Sequence, residues 1–296
     1  MASARLTRAA LRFLAGESCT RPSSRGLLPL AQPLAEADDG SCVIGSLEWP
    51  LGEPAALVQM RRGAHSVLPL GTPAHVARRA AVEADIAGGD EAQELVSFFS
   101  AAAVETGGLA YERGAFAQSK LSVDQFLLLR VGPFADAWDR LARERVSKGE
   151  VTAGLIAAER GSARNPNWGC CLWSQASILH GLGRLDEARD IAISALEMPF
   201  WTIGAPIPHV QSVAQLGHVS DIRALLREVE AKGSEKRGLP PPTALERARN
   251  RAFDRLDAVV SSQSDWDEIR PMLAADLLDA GLTSLAKVVS SGGLEG

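Results

Sequence analysis

Cysteine, aromatic side chains and long apolar runs are all scarce in this chain of 296 residues. The four cysteines include an adjacent pair, Cys170 and Cys171. Because a bridge between neighbours is strongly disfavoured, this is not a disulfide framework, and it suits a reducing compartment. No stretch approaches the ~20 apolar residues of a membrane-spanning helix. Aromatic residues make up 5% of the chain, with one tyrosine, which favours closely packed helices over a sandwich or barrel.

The sequence patterns of catalysis are missing as well. The histidines show no metal-ligand spacing, the cysteine pair is not a CxxC motif, and no phosphate loop, dinucleotide fingerprint or GxSxG elbow is present. We therefore predict no cofactor, no metal site and no catalytic residue. One alternative is an enzyme with an unrecognised site near Cys170, Cys171 and His180, where a helix start would lower a thiol pKa. Packing of two small apolar side chains in a core explains the pair more simply.

Acidic residues outnumber basic ones in the chain as a whole, whereas basic residues outnumber acidic ones near the N-terminus. The formal charge is −5. Without residues 1–35, 26 of the 31 basic and 35 of the 36 acidic residues remain, which is a net charge of −9. An acidic body argues against nucleic acid or an anionic membrane surface as the main partner.

Residues 1–35 have the composition of an organellar transit peptide. They contain five arginines and one acidic residue, and Arg5, Arg8 and Arg12 fall on one side of a helix whose other side is apolar. Arg8 and Arg12 interrupt the continuous apolar core that a secretory signal needs. We expect a removable leader for a plastid or a mitochondrion, and the alternative is a disordered basic tail.

Helix breakers and capping residues divide the next part of the chain. Residues 36–72 carry glycine or proline at eight positions, so we expect an irregular arm in which residues 42–44 and 55–59 are at most short extended segments. Thr72-Pro73 then predicts a helix start, a capping residue followed by proline at the first helical position. Residues 73–133 are predicted to form an N-terminal helical section without a clear period.

Glycine returns at an interval of 34 residues, at Gly149, Gly183 and Gly217, each time between two runs with helical character. The first of these units has a distinctive set of large and small residues on both sides of its glycine: Trp138, Leu141, Ala142, Arg145, Gly154, Ala158 and Pro166. With arginine in place of an aromatic residue at one position, this unit resembles the tetratricopeptide family of helical hairpins.

The resemblance implies an all-α fold, a tetratricopeptide-like solenoid of about three repeats over residues 134–233 with flanking helices. The second unit keeps the pattern, and the third is degenerate. Residues 234–296 are predicted to hold a breaker-rich insertion, which begins near Lys232, and C-terminal capping helices with Gly281 at a turn. The alternative is an irregular helical domain whose turns happen to share glycine.

In such a solenoid the concave surface is lined by the first helix of each hairpin. Carried onto this chain, the resemblance implies a partner-binding face that presents Asp139, Arg143, Trp173, Ser177, His180, Ile207 and Gln211. Trp173 is the best anchor because a large, stiff ring contributes much contact area, although it would serve equally well in core packing. The residues that grip a C-terminal carboxylate in chaperone-binding members are absent from this face, which disfavours that kind of partner.

The predicted role is therefore non-catalytic: a scaffold, assembly factor or peripheral subunit in a plastid or mitochondrion that holds a peptide or protein in the repeat groove. One alternative is an organellar RNA-binding protein, since pentatricopeptide hairpins have a similar length, but the acidic body counts against it. The others are the thiol enzyme and helices that only build a homo-oligomer.

Overall fold

A computed structural model shows a predominantly helical protein with a small antiparallel sheet. The structure describes residues 2–17, 21–37, 39–48, 55–89, 91–217, 222–236 and 240–291. The prediction of an all-α fold is therefore wrong in one respect, the sheet. The chain forms two compact units, Met1–Pro166 and Asn167–Gly296. Within the described ranges no helix is long and apolar enough to cross a membrane.

The first unit contains the sheet and seven of the helices that the structure describes. The elements follow in the order α1 (Ala2–Leu14), β1 (Ala31–Glu36), β2 (Val43–Leu47), β3 (Ala56–Met60), β4 (Leu68–Gly71), α2 (Pro73–Ala87), α3 (Ala92–Glu105), α4 (Ala115–Ser119), α5 (Val123–Phe126, continued by a π-turn over Leu127–Val131), α6 (Ala135–Ser147) and α7 (Val151–Arg164).

The second unit is helical throughout its described part. Its elements are α8 (Gly169–Gly181), α9 (Leu185–Glu197), a 3₁₀ turn (Phe200–Thr202), α10 (Ile207–Val213), α11 (Ile222–Lys236), α12 (Ala244–Ser262), α13 (Trp266–Asp279) and α14 (Thr283–Ser291). Helix α11 runs past Lys232, so the predicted insertion begins later than expected, and residues 237–239 of it lie outside the described ranges.

The sheet occupies the stretch for which we expected an irregular arm, apart from residues 38 and 49–54, which the structure does not describe. Its strands pair in the order β1-β2-β3-β4, all antiparallel. The breakers are compatible with strands because each strand is only four to six residues long. Pro33 lies in the edge strand at a register shift, where a missing N–H costs little. Gly45 lies where a Cβ atom would come within 2.6 Å of the Met60 side chain.

The predicted leader is part of the first unit. Helix α1 packs on the sheet and on α2 and α3, with Ala10 and Leu11 buried in two apolar clusters. Arg8 donates to Glu94 at 2.8 Å, and its guanidinium lies 4.9 Å from the centre of the Phe98 ring. The expectation that residues 1–35 form a removable leader stays a prediction, and in the intact chain this stretch contains α1 and most of β1.

Helix α2 connects the sheet to the rest of the first unit. Thr72 Oγ1 accepts a hydrogen bond from the His75 N–H, and Pro73 is the first helical residue, as the sequence predicted. On α2, Arg79 donates two hydrogen bonds to Asp136 of α6, at 2.7 and 2.8 Å. Burial alone would raise the pKa of Asp136, but the bonds from Arg79 and Arg140 outweigh burial and hold this pKa below its usual value.

Three helical hairpins share one turn geometry, and they are α6–α7, α8–α9 and α13–α14. Gly149, Gly183 and Gly281 have φ angles of +80°, +75° and +74°, each just beyond the last helical turn. In each hairpin the glycine N–H and the next N–H bond back to carbonyls of that turn, the pattern of a Schellman cap. Glycine recurs because a left-handed residue is needed there.

The third glycine of the predicted period does not hold this position. The residue with positive φ that closes α10 is Gln215, whose N–H bonds to Ser212 O while Leu216 N–H bonds to Gln211 O. Gly217 lies two residues farther on. The same helix cap therefore recurs at Gly149 and Gly183, whereas Gly217, with a φ angle of +64°, lies between α10 and α11 without closing a helix in this way.

Helices α6 and α7 approach closely because α7 carries glycine at two contact points. A Cβ atom on Gly154 would lie 2.5 Å from Val146 Cγ2 and 2.9 Å from the Ala142 carbonyl oxygen, and one on Gly161 would lie 3.0 Å from Trp138 Cβ. Glycine inside a helix is unfavourable on propensity alone, and at Gly154 it permits the close contact of the two helices.

We expect Gly154→Ala to lower the free energy of unfolding by about 1–3 kcal/mol, since overpacking against backbone outweighs the gain in helix propensity. Gly181→Ala is the control because it also adds a methyl group to a helical glycine but meets nothing within 4 Å. It should be neutral or stabilise by up to about 1 kcal/mol. Urea unfolding measures both, and equal effects of the two changes would contradict the argument.

We expect Asp136→Ala to cost about 3 kcal/mol or more, because it leaves the largely buried guanidinium of Arg79 without its main partner. Asp139→Ala on the same helix removes an exposed ion pair with Arg143 and should cost less than about 1 kcal/mol. The measurement is again the free energy of unfolding. Similar losses for the two variants would contradict a larger contribution of the buried pair to stability.

Candidate functional site

Three of the predicted contact residues share one face of α8. Trp173, Ser177 and His180 follow the spacing i, i+4, i+7, which places them one above another along the helix. Trp173 is half-buried and His180 is exposed. The Trp173 ring packs edge-on against the exposed His209 of α10, with 5.0 Å between ring centres. Trp173 is thus partly a packing residue and partly a surface residue.

Gln211 and Ile207, the predicted contacts on α10, lie at a cavity. This cavity has a volume of about 570 Å³, and α10, α11, α12 and the 3₁₀ turn enclose it. Its apolar lining includes Phe200, Ile207 and Ile222. Gln211 contributes a half-buried amide. The volume is in the range of sites that hold a ligand or a side-chain cluster.

The charged wall of the cavity comes from residues that the sequence analysis did not single out. Arg223 of α11 donates from Nε to Asp257 Oδ2 at 2.5 Å, and Asp257 Oδ1 accepts the Phe200 N–H at 2.7 Å. Arg227 and Asp254 form a second, more exposed pair between the same two helices. The only sequence signal for these two ion pairs is the spacing of their residues. The two arginines are four residues apart on α11, and the two aspartates are three residues apart on α12.

Arg223 also closes the C-terminal end of α9. Its guanidinium donates to the carbonyl oxygens of Glu197 and Met198 and lies 4.4 Å from the centre of the Phe200 ring. A cation at a helix C-terminus is favoured because the last carbonyls have no partner within the helix. Burial raises the pKa of Asp257 to about 6, despite the opposing attraction of Arg223 and the Phe200 N–H.

The other two predicted contact residues, Asp139 and Arg143, lie in the first unit. Both are on α6, and Arg143 Nε donates to Asp139 Oδ1 at 2.9 Å across one helical turn. The arrangement within each unit therefore brings together Asp139 with Arg143, and Trp173 with Ser177 and His180.

The residues of the alternative thiol site are not brought together. Cys171 is buried near the start of α8, Cys170 is partly buried, and His180 is exposed near the other end of the same helix. Nine residues of helix separate Cys171 from His180 by about 13 Å along the axis. A nucleophile and its base must lie within about 3 Å of each other. Among the residues that the structure describes there is also no group of three potential metal ligands.

The helical hairpins and the small sheet define a predominantly helical protein. A family model described as PAB N-terminal matches residues 8–130, and one described as PAB middle domain matches residues 135–220. The protein of Arabidopsis thaliana called "Protein IN CHLOROPLAST ATPASE BIOGENESIS, chloroplastic" is 30% identical over 285 residues, which cover 93% of this chain and 82% of that relative. No solved structure matches the chain.

The chain belongs to the PAB family. These matches name PAB domains and not tetratricopeptide repeats, so the tetratricopeptide resemblance is supported only at the level of hairpin geometry. The start of the first match at residue 8 agrees with the packing of α1 into the first unit.

A group whose pKa is higher in the folded state favours the folded state most at low pH. Asp257 has an ordinary pKa of 3.8 and a folded pKa of about 6. We therefore expect its contribution to the free energy of unfolding to fall by up to about 3 kcal/mol as the pH rises from 4 to 6. Asp257→Asn cannot titrate, so its free energy of unfolding minus that of the wild type should grow over this range. A constant difference would contradict the assignment, and Asp254→Asn controls for the loss of a carboxylate from the same helix.

Proposed function

We propose that this chain is a non-catalytic assembly factor of the plastid that acts in the biogenesis of the chloroplast ATPase. The observation that carries the proposal is the 30% identity, over 93% of this chain, to a chloroplast protein named for that process. The separation of Cys171 from His180 along α8 supports the absence of chemistry at the thiols. The predicted mitochondrial setting has no comparable support.

The proposed binding element is the face of α8 and the adjoining α10, with Trp173, Ser177, His180 and Gln211 as contacts. A half-buried tryptophan supported by His209 is held in one orientation, so little side-chain entropy is lost on binding. The cavity beside Gln211 offers room for one partner side chain. We propose tetratricopeptide-like hairpins as the scaffold of this face, and the α6 pair Asp139–Arg143 as a second contact.

The experiment measures binding of the full chain to individually produced subunits of the chloroplast ATPase. Trp173→Ala should weaken binding of one subunit about tenfold or more, which is the effect expected for a hot-spot residue. Leu185→Ala is the matched control, because Leu185 is an exposed apolar residue of the neighbouring helix α9. Thermal unfolding establishes that both variants fold.

Equal binding by the wild type and Trp173→Ala would show that the α8 face is not the binding site. No binding to any subunit would contradict the ATPase assignment itself. Salt-dependent binding of RNA by the wild type would instead support the RNA-binding alternative.

A further inference from the structure

A preformed groove in the first unit runs along α3. Residues Gln93, Ser97, Ala101, Val104 and Glu105 follow one stripe of the helix, and together with Ala110, Tyr111 and Arg113 of the following loop they line an open groove of about 500 Å³. Gln93 to Glu105 spans about 18 Å of helix, the length of three turns. This surface lies in the PAB N-terminal region and is separate from the α8 face of the proposed function.

The far wall of the groove is fixed in place. The Tyr111 hydroxyl donates to Asp85 at 2.6 Å, and the Gly114 N–H donates to the same carboxylate at 2.8 Å. The Ser100 hydroxyl accepts the Tyr111 N–H and donates to the Tyr111 carbonyl, which ties the loop to α3 itself. A partner therefore meets a groove that needs no ordering when it binds.

The groove has an exposed apolar surface. Val104 is 53% exposed, and Leu109, next to the lining residue Ala110, is 70% exposed. The small side chain of Ala101 lies between them and the start of the stripe. Exposed apolar side chains at and beside a concave surface are typical of a place where a partner packs.

The rim of the groove is acidic. Glu105 lines the groove, and Glu112 lies in the chain between the lining residues Tyr111 and Arg113. Both are exposed, and within the described part of the chain neither has an ion-pair partner. The one basic residue of the lining, Arg113, is engaged, since it donates to Gln93 at 2.5 Å and lies 3.8 Å from Asp85. The unbalanced charge at the opening is therefore negative.

We propose that this groove binds an amphipathic helix of a protein partner, with an apolar face against Val104 and Ala101 and with lysine or arginine side chains near Glu105 and Glu112. A helix fits because the lining is a stripe of one helix beside a fixed wall, into which the apolar side chains of a second helix can pack. The acidic rim selects a basic helix and disfavours an anionic membrane or nucleic acid.

The test uses the full chain and three labelled 18-residue peptides. The first has leucine on one helical face and lysine on the other, the second has the same composition with the leucines scattered, and the third has glutamate in place of lysine. Fluorescence anisotropy at low and high salt should show that the first peptide binds at least about tenfold more tightly than the others, and that its binding weakens with salt.

Two variants locate the binding, and two exposed residues of α7 supply matched controls. Val104→Asp should weaken binding about fivefold or more, and Glu105→Lys with Glu112→Lys should abolish the salt dependence. Ile156→Ser and Glu159→Lys change exposed residues of the same unit outside the groove and should leave binding unchanged. Trp173→Ala should also have no effect, so this proposal and the proposed function fail separately.

Equal binding of the three peptides, or equal losses in the groove variants and the α7 variants, would overturn the proposal. So would a loss of peptide binding in Trp173→Ala, because it would place the peptide on α8.

Discussion

The ion pair between Arg79 and Asp136 is the interaction on which the first unit depends. It joins α2 of the PAB N-terminal region to α6, the first helix of the PAB middle domain. Arg79 also donates to Glu83 and lies over the Phe134 ring, while Arg140 connects Asp136 to Asp124. Because α2 in turn contacts α1, α3 and the sheet, this guanidinium connects the α6–α7 hairpin to the N-terminal core, together with Phe134 and Ala137, which are buried in the same apolar cluster. A largely buried arginine has few other ways to be satisfied, so the pair specifies one docking geometry as well as stabilising it.

Features determined by neighbouring residues could be predicted from the sequence. The start of α2 at Thr72-Pro73 and the left-handed turns at Gly149 and Gly183 depend only on local backbone chemistry. The sheet could not be predicted in the same way, because strands of four to six residues between glycines and prolines leave no periodic signal and are stabilised by partners 7 to 17 residues away. The arginine side and the apolar side of α1 are common to transit peptides and to helices packed on a core, so the sequence alone does not separate the two.

In the candidate site, too, some features follow from neighbouring residues and others only from the fold. Trp173, Ser177 and His180 share a face because they follow helical spacing, so the sequence sufficed to group them. Their neighbour His209 and the Arg223–Asp257 pair come from separate helices, and only the fold brings them together. The buried charges of the second unit have structural partners: Arg223 satisfies the end of α9, and Asp257 satisfies the Phe200 N–H. These charged groups therefore reflect how the helices are joined.

The two proposed surfaces have the chemistry of weak, reversible binding sites. Each offers few large apolar side chains, Trp173 in the second unit and Val104 with Leu109 in the first. Weak, transient complexes bury less surface than permanent ones, whose interfaces are also more hydrophobic. The chemistries of the two surfaces differ, since one is aromatic and the other combines an apolar floor with an acidic rim. Each proposed surface is therefore expected to select its own partner segment and to release it, and release is what the proposed assembly role requires.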